Sequence, residues 1–338
     1  MTVGVNISHD SSICIKKEKS IEFFEESRFN KNKYWAPYPD DFDYISFKNI
    51  KDFNDVFVFA CYGTLENSHK EVVENICNKY KIKKFIYNEL MHHVYHACAA
   101  FHASPFNEAL AVVIDGGGAN LTSKNIYRES DSIFYIDNQK VKEKYKSYNN
   151  SRSTTLFQDF HNRKKLLKII ELFKNTSQEK NILDSFFTEN DCLYRVTNNY
   201  NPGDLFNHLC DTIGFFNFDT YEPGKAMGLS SYGNTFGERN EDLAKQVQIA
   251  TEDYTIELIE KALSYANTKN IVLSGGYFLN CVTNYKYTQH FKGVNFFIDP
   301  VPHDGGTAIG AAVWLDDYFQ RSFSEQKFKG RLIDETNN

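Results

Sequence analysis

The chain has 338 residues, 41% of them hydrophobic and 24% charged, an ordinary globular composition and enough length for one large core or two lobes. Forty-four acidic against 38 basic residues give a net charge of −6, which counts against a surface built mainly to hold nucleic acid, because phosphates call for a basic face. No apolar run approaches the ~18 residues of a membrane span, no basic region precedes an apolar stretch at the N-terminus, and the seven cysteines form no Cys-x2-Cys pair, so a cytoplasmic protein with reduced thiols and no signal peptide is expected.

The chain opens with strands at 3–8, 13–17 and 21–25, the first two joined by the turn His9-Asp10-Ser11-Ser12. Residues 56–60 are a continuous apolar run, as in a buried parallel strand. Residues 68–80 read as a helix with Val72, Val73, Ile76 and Cys77 on one face, followed by a strand at 84–87. Residues 91–100, Met-His-His-Val-Tyr-His-Ala-Cys-Ala-Ala, read as helix. His92 and His96 are four apart and share a face, so both imidazoles can reach one metal ion, while His93 is rotated towards another partner.

A buried strand at 110–114 ends in Asp115 and the glycines 116–118, with strands at 132–136 and 140–144 behind it. This repeats the opening pattern: Asp10 and Asp115 each close the first strand of a three-strand unit. Residues 145–201 are polar, with one amphipathic helix near 164–173, and read as an insertion over the cleft. A helix at 205–215 precedes the glycine-punctuated loop 222–229, which carries Lys225 and Gly228. A helix at 256–266 leads to a strand at 271–273, the turn Ser274-Gly275-Gly276 and a helix holding Asn280. A strand at 296–298 leads to Asp304-Gly305-Gly306 and a helix of small residues at 307–314.

Two histidines on one helix face, with carboxylates at the ends of other elements, suit a hard-metal or iron-type site made by His92, His96, Asp115 and Asp304. The glycine turns Gly116-Gly117 and Gly275-Gly276 let backbone N–H groups approach a phosphate closely. Duplicated strand–turn–strand units with later αβ segments predict an α/β protein of two related lobes around a nucleotide cleft, by analogy with actin-like, ribonuclease-H-like folds. The lobes divide at 1–107 and 108–320, with a charged tail at 321–338. No Gly-x4-Gly-Lys-Ser/Thr loop and no Gly-x-Ser-x-Gly elbow occurs, which disfavours a P-loop ATPase and a serine hydrolase.

Taken in order, the motifs resemble the O-carbamoyltransferase family that includes nodulation protein U and the antibiotic-tailoring carbamoyltransferases. They are Gly4-Val5-Asn6 with His9-Asp10-Ser11, Glu25-Glu26-Ser27-Arg28-Phe29 with Lys33, and His92-His93-Val94-Tyr95-His96-Ala97. Ser104 to Leu110, Val113-Ile114-Asp115-Gly116 and Gly224-Lys225-Ala226-Met227-Gly228-Leu229 follow. Ser274-Gly275-Gly276, Leu279-Asn280-Cys281 and Asp304-Gly305-Gly306-Thr307-Ala308 complete the set.

The resemblance implies an actin-like fold similar to that of the tRNA threonylcarbamoyl transferase. It implies a carbamoyltransferase using a donor derived from ATP and carbamoyl phosphate, carbamoyl-adenylate, whose carbamoyl group moves to a hydroxyl. An iron-type or other divalent metal would be held at positions matching His92, His96, Asp115 and Asp304, with Mg²⁺ a further cation. His9 and Lys33 would hold the carbamoyl or phosphate group, and His93 would be the base. Asp10, Gly116, Gly117, Lys225, Gly228, Gly275, Gly276 and Asn280 would line the nucleotide site. The YrdC-like domain that makes the adenylate in the family is absent from the sequence, so a separate adenylate-forming protein is expected as a partner. The alternatives are a threonylcarbamoyl-type transferase acting on tRNA and a non-catalytic nucleotide-binding scaffold.

Overall fold

The computed structural model describes residues 1–62, 68–120, 127–150, 163–174, 184–197, 200–217 and 220–319. The tail expected from residue 321 lies outside them, as do parts of the polar segment. Strands β1 (Thr2–Asn6), β2 (Ser12–Lys17) and β3 (Ser20–Glu25) form an antiparallel meander that ends at a short helix, α1 (Ser27–Asn30). β4 (Val56–Ala60) joins β1 in parallel. After α2 (Ser68–Tyr80), β5 (Phe85–Tyr87) completes a sheet of order β3-β2-β1-β4-β5. Helix α3 (His92–Ala103) crosses to the second sheet.

The second sheet restates the first. β6 (Glu108–Ile114), β7 (Arg128–Asp137) and β8 (Val141–Asn149) form the antiparallel meander. Helix α4 (Arg163–Lys174), strands β9 (Asp184–Glu189) and β10 (Cys192–Thr197), and helix α5 (Pro202–Ile213) come next. The two-residue strands β11 (Phe216–Asn217) and β12 (Thr220–Tyr221) pair ahead of α6 (Pro223–Leu229) and α7 (Asn240–Leu263). β13 (Asn270–Ser274), α8 (Cys281–His290), β14 (Asn295–Ile298) and α9 (Thr307–Trp314) complete the described chain. The order β14-β13-β6-β7-β8-β10-β9 contains the same five-strand pattern, with β13 and β14 parallel to β6 as β4 and β5 are to β1. This doubled topology is the actin-like α/β fold.

Side-chain alternation along the strands sets the layers. In β4, Phe57 and Phe59 face the cluster built on α2, while Val58 and Ala60 face α3 and α9. In β6, Ala109, Ala111 and Val113 turn towards α3 and α9, while Leu110, Val112 and Ile114 turn towards α5 and α7. The pair α3–α9 is therefore packed between the two sheets.

Two sequence readings are corrected, and two gain detail. Residues 222–229 are not a loop: Pro223 opens helix α6, its fixed φ and missing N–H being suited to a first helical turn. The helix expected at 256–266 is the end of the 24-residue α7. The polar segment 145–201 begins inside β8, and its described strands β9 and β10 extend the β8 edge of the sheet. Finally, α9 packs on β1, β2 and β4, so the second lobe as divided at 107/108 sends its last helix back to the first.

Candidate metal centre

Both helices of the central layer begin at one end of the molecule, where β1 and β6 also end. His92 and His96 occupy the first turns of α3, Asp115 follows β6, and Asp304 sits in the turn before α9. The four side chains are buried, and one ligand atom from each lies within 4.8 Å of every other. His92 Nε2 is 3.4 Å from Asp115 Oδ2 and 3.6 Å from Asp304 Oδ1, and His96 Nε2 is 3.8 Å from Asp304 Oδ1.

Buried polar atoms are nearly always hydrogen-bonded. His92 Nε2, His96 Nε2 and Asp304 Oδ1 are buried with no hydrogen-bond partner, the two nitrogens lying 3.6 and 3.8 Å from the oxygen. Two imidazole nitrogens and two carboxylate oxygens are a donor set that suits iron(II) or a similar divalent ion. The residues present therefore fit a metal.

Neighbouring groups orient the ligands. Gly276 N–H donates to Asp115 Oδ1 at 3.1 Å, and Gly117 N–H to Oδ2 at 3.4 Å. Ser274 Oγ donates to Asp299 at 2.7 Å, so it accepts from His96 Nδ1 at 3.3 Å and leaves Nε2 as a lone pair facing the centre. His93 has a parallel arrangement on its own side. Ser132 Oγ donates to Glu129 Oε1 at 2.9 Å and accepts from His93 Nδ1 at 2.9 Å. His93 Nε2 is again a buried, unpartnered lone pair, against Gly118, where an added Cβ would come within 2.9 Å of it.

The electrostatics separate the histidines. Burial opposes charge on His92, but Asp304 and Asp115 outweigh it and lift the group to about 10. Burial likewise opposes charge on His9, and Asp304 and Asp10 lift it to about 9. His93 goes the other way: burial takes it down to about 4, with Glu129 only partly compensating. Burial and Asp304 push Asp115 up, yet His92 and His96 hold it below the usual carboxylate range.

His9 joins the centre from β1, with Nε2 3.4 Å from Asp304 Oδ2 and Nδ1 3.0 Å from Asp10. Ser8 Oγ lies 3.1 Å from the same Asp304 oxygen. Lys225 is exposed and 3.5 Å from Glu222, while Lys33 is exposed, 4.4 Å from the Tyr34 ring centre, and within electrostatic range of Glu222 and Asp10. Both lysines thus converge on Glu222, on the His9–Asp10 side.

Gly275 is fixed by backbone geometry: its φ is +98°, and a Cβ there would lie 2.1 Å from Ile114 O. Gly116, Gly117 and Gly276 are partly open beside Asp115. Two residues are placed otherwise than their local sequence suggests. Gly228 lies within α6, with no phosphate-cradling turn around it. Asn280 is not one turn into a helix facing a nucleoside. It is the buried N-cap of α8, and both ends of its amide are taken by Gln248 at 2.8 and 3.3 Å.

Ser8, Ser132, Glu129, Asp299 and His303 carried no periodic or spacing signal, because they reach the site through contacts with residues far along the chain. Tyr62, just after β4, was also missed. Its ring lies 6.4 Å from that of His92 and 5.9 Å from that of His9, and the Arg128 guanidinium at the start of β7 lies 5.9 Å from it, across the two sheets.

A family profile described as the carbamoyltransferase N-terminus matches residues 51–313. MJ1051 of Methanocaldococcus jannaschii is 27% identical over 333 residues, covering 93% of this chain and 57% of its own. The nodulation protein NolNO of Sinorhizobium fredii is 23% identical over 255 residues, covering 70% of this chain and 32% of its own. The chain thus spans about a third to just over half the length of these relatives. Among solved structures, full-length HypF in its phosphate- and nucleotide-bound form superposes with a TM-score of 0.58 at 12% identity, covering 96% of this chain and 56% of HypF.

Proposed function

The chain belongs to the carbamoyltransferase family by its N-terminal domain, and on that premise we propose that it transfers a carbamoyl group from carbamoyl-adenylate to a hydroxyl acceptor. The observation that carries the reading is the convergence of unpartnered His92, His96 and Asp304 atoms, with Asp115, at the junction of two actin-like sheets.

Transfer forms a bond between the acceptor oxygen and the carbamoyl carbon, breaks the bond from that carbon to the phosphate oxygen, and releases AMP. The acceptor proton must leave and negative charge must be stabilised. His93 is the base in this reading: it is neutral at neutral pH, its Nε2 lone pair is unpartnered, and Glu129 through Ser132 fixes the tautomer. His9, cationic up to about 9, faces the carbonyl or phosphate oxygen, and Lys33 and Lys225 meet the phosphate from the open side. In this reading the nucleotide meets the partly open backbone at Gly116 and Gly276; the N–H groups of Gly117 and Gly276 are taken by Asp115 and that of Gly275 by Pro302 O. A divalent ion held by His92, His96, Asp115 and Asp304, iron(II) by preference, would supply Lewis-acid polarisation when bound.

The test mixes the protein with carbamoyl-adenylate, generated in place by a separately purified adenylate-forming enzyme, and a panel of sugars and hydroxylated nucleosides. Mass spectrometry should find one acceptor gaining a carbamoyl group, with AMP released in equal amount. Release of AMP at the blank rate across the panel, and no carbamoylated product, would refute the reading.

A further inference from the structure

The sequence Glu25-Glu26-Ser27-Arg28 contributes nothing to the site as described so far, yet two of its residues are engaged. Glu26 is buried and accepts the Ile45 and Ser46 N–H groups at 2.9 Å each, a local anchor. Glu25 reaches further. Its Oε1 lies 3.2 Å from His303 Nε2, and its Oε2 accepts from Arg28 Nε at 3.1 Å.

The other nitrogen of the same ring, His303 Nδ1, accepts the Gly305 N–H at 3.2 Å and so caps the turn Asp304–Gly306. Nδ1 also lies 3.8 Å from Asp10 Oδ2, so the ring bridges Glu25 at the end of β3 to the turn before α9. The first lobe grips this turn twice more, by Ser12 Oγ donating to Gly305 O at 2.7 Å and by Ser8 Oγ beside Asp304. Asp304 is therefore held in place mainly from strands of the opposite lobe.

We propose that Glu25 is a positioning residue for the metal centre: by hydrogen-bonding His303 Nε2 it holds the ring against the Gly305 N–H, and so aims the Asp304 carboxylate. The proposal rests on the reading of Asp304 as a ligand. Groups that orient a ligand without touching the metal commonly change affinity ten- to a hundredfold.

The test titrates the full chain with Co²⁺, whose visible absorption reports its coordination, and follows amide hydrogen exchange of residues 303–306. Glu25→Ala should weaken Co²⁺ binding about tenfold or more and speed exchange at Gly305, with little change in unfolding midpoint. Glu25→Gln, whose amide oxygen can still accept, should restore both. Tight Co²⁺ binding by Glu25→Ala, or a loss in Glu25→Gln equal to that in Glu25→Ala, would overturn the proposal. If the wild type binds no Co²⁺, the metal reading fails, and unchanged Gly305 exchange in Glu25→Ala then overturns the positioning role separately.

Discussion

At the scale of single residues, the most exacting arrangement is the ion pair behind His93. Lys146 and Glu129 are both buried and 3.0 Å apart. Burial raises the Glu129 carboxyl, but His93, Lys146 and Ser132 outweigh it and bring it from an ordinary 4.5 down to about 2. Its contribution to stability is therefore complete above pH about 4.5 and lost as the pH falls towards 2. Glu129→Ala leaves a buried lysine without its nearest carboxylate, and should cost about 3–5 kcal/mol in urea unfolding near neutral pH. A cost no larger at neutral pH than at pH 3 would contradict the assignment. Asn280→Ala makes a contrasting case. It removes a helix cap and the Gln248 pairing, so it should cost about 0.5–2 kcal/mol and leave nucleotide affinity unchanged. A calorimetric loss of AMP binding without loss of stability would return Asn280 to the nucleotide site.

At the scale of elements, the ligand-bearing helices depend on close approach. Gly310 of α9 sits against α3 so tightly that a Cβ would lie 1.7 Å from Tyr95 O. Gly310→Val should destabilise the protein by about 1–3 kcal/mol or more through overpacking. Because α3 carries His92 and His96, the same change should also weaken metal binding. Wild-type thermal stability in this variant would contradict the α3–α9 packing. The sequence revealed this layer in part. The small residues of 307–314 announce a closely packed helix, and the four-residue spacing of His92 and His96 announces a shared face. What it did not reveal was that α9 returns to the first sheet, because the partner strand Thr2–Asn6 is some 300 residues away. The loop read at 222–229 went wrong for a local reason, since Pro-Gly favours turns as readily as a helix start.

For the whole molecule, the repeated three-strand unit was legible because Asp10 and Asp115 each follow a first strand; the five-strand order was not, nor was the extra β9–β10 edge, whose polar sequence lacks alternation. The proposed ligand set rests on a similar signal: each of its four members borders a glycine turn or shares a helix face. The residues that orient those ligands lie on other elements and only the fold brings them near. If the donor is made elsewhere, the 338-residue chain given ATP and carbamoyl phosphate alone should release no pyrophosphate, and steady release by the pure chain would be contrary to the proposal. The central claim, that the junction of the two sheets is a metal centre, is tested most directly by elemental analysis of anaerobically purified wild type beside His96→Ala. The account predicts about one divalent ion, iron first, per wild-type chain, and a clear loss in the variant. Equal metal in the two proteins, or none in the wild type after reconstitution with iron(II), would contradict it.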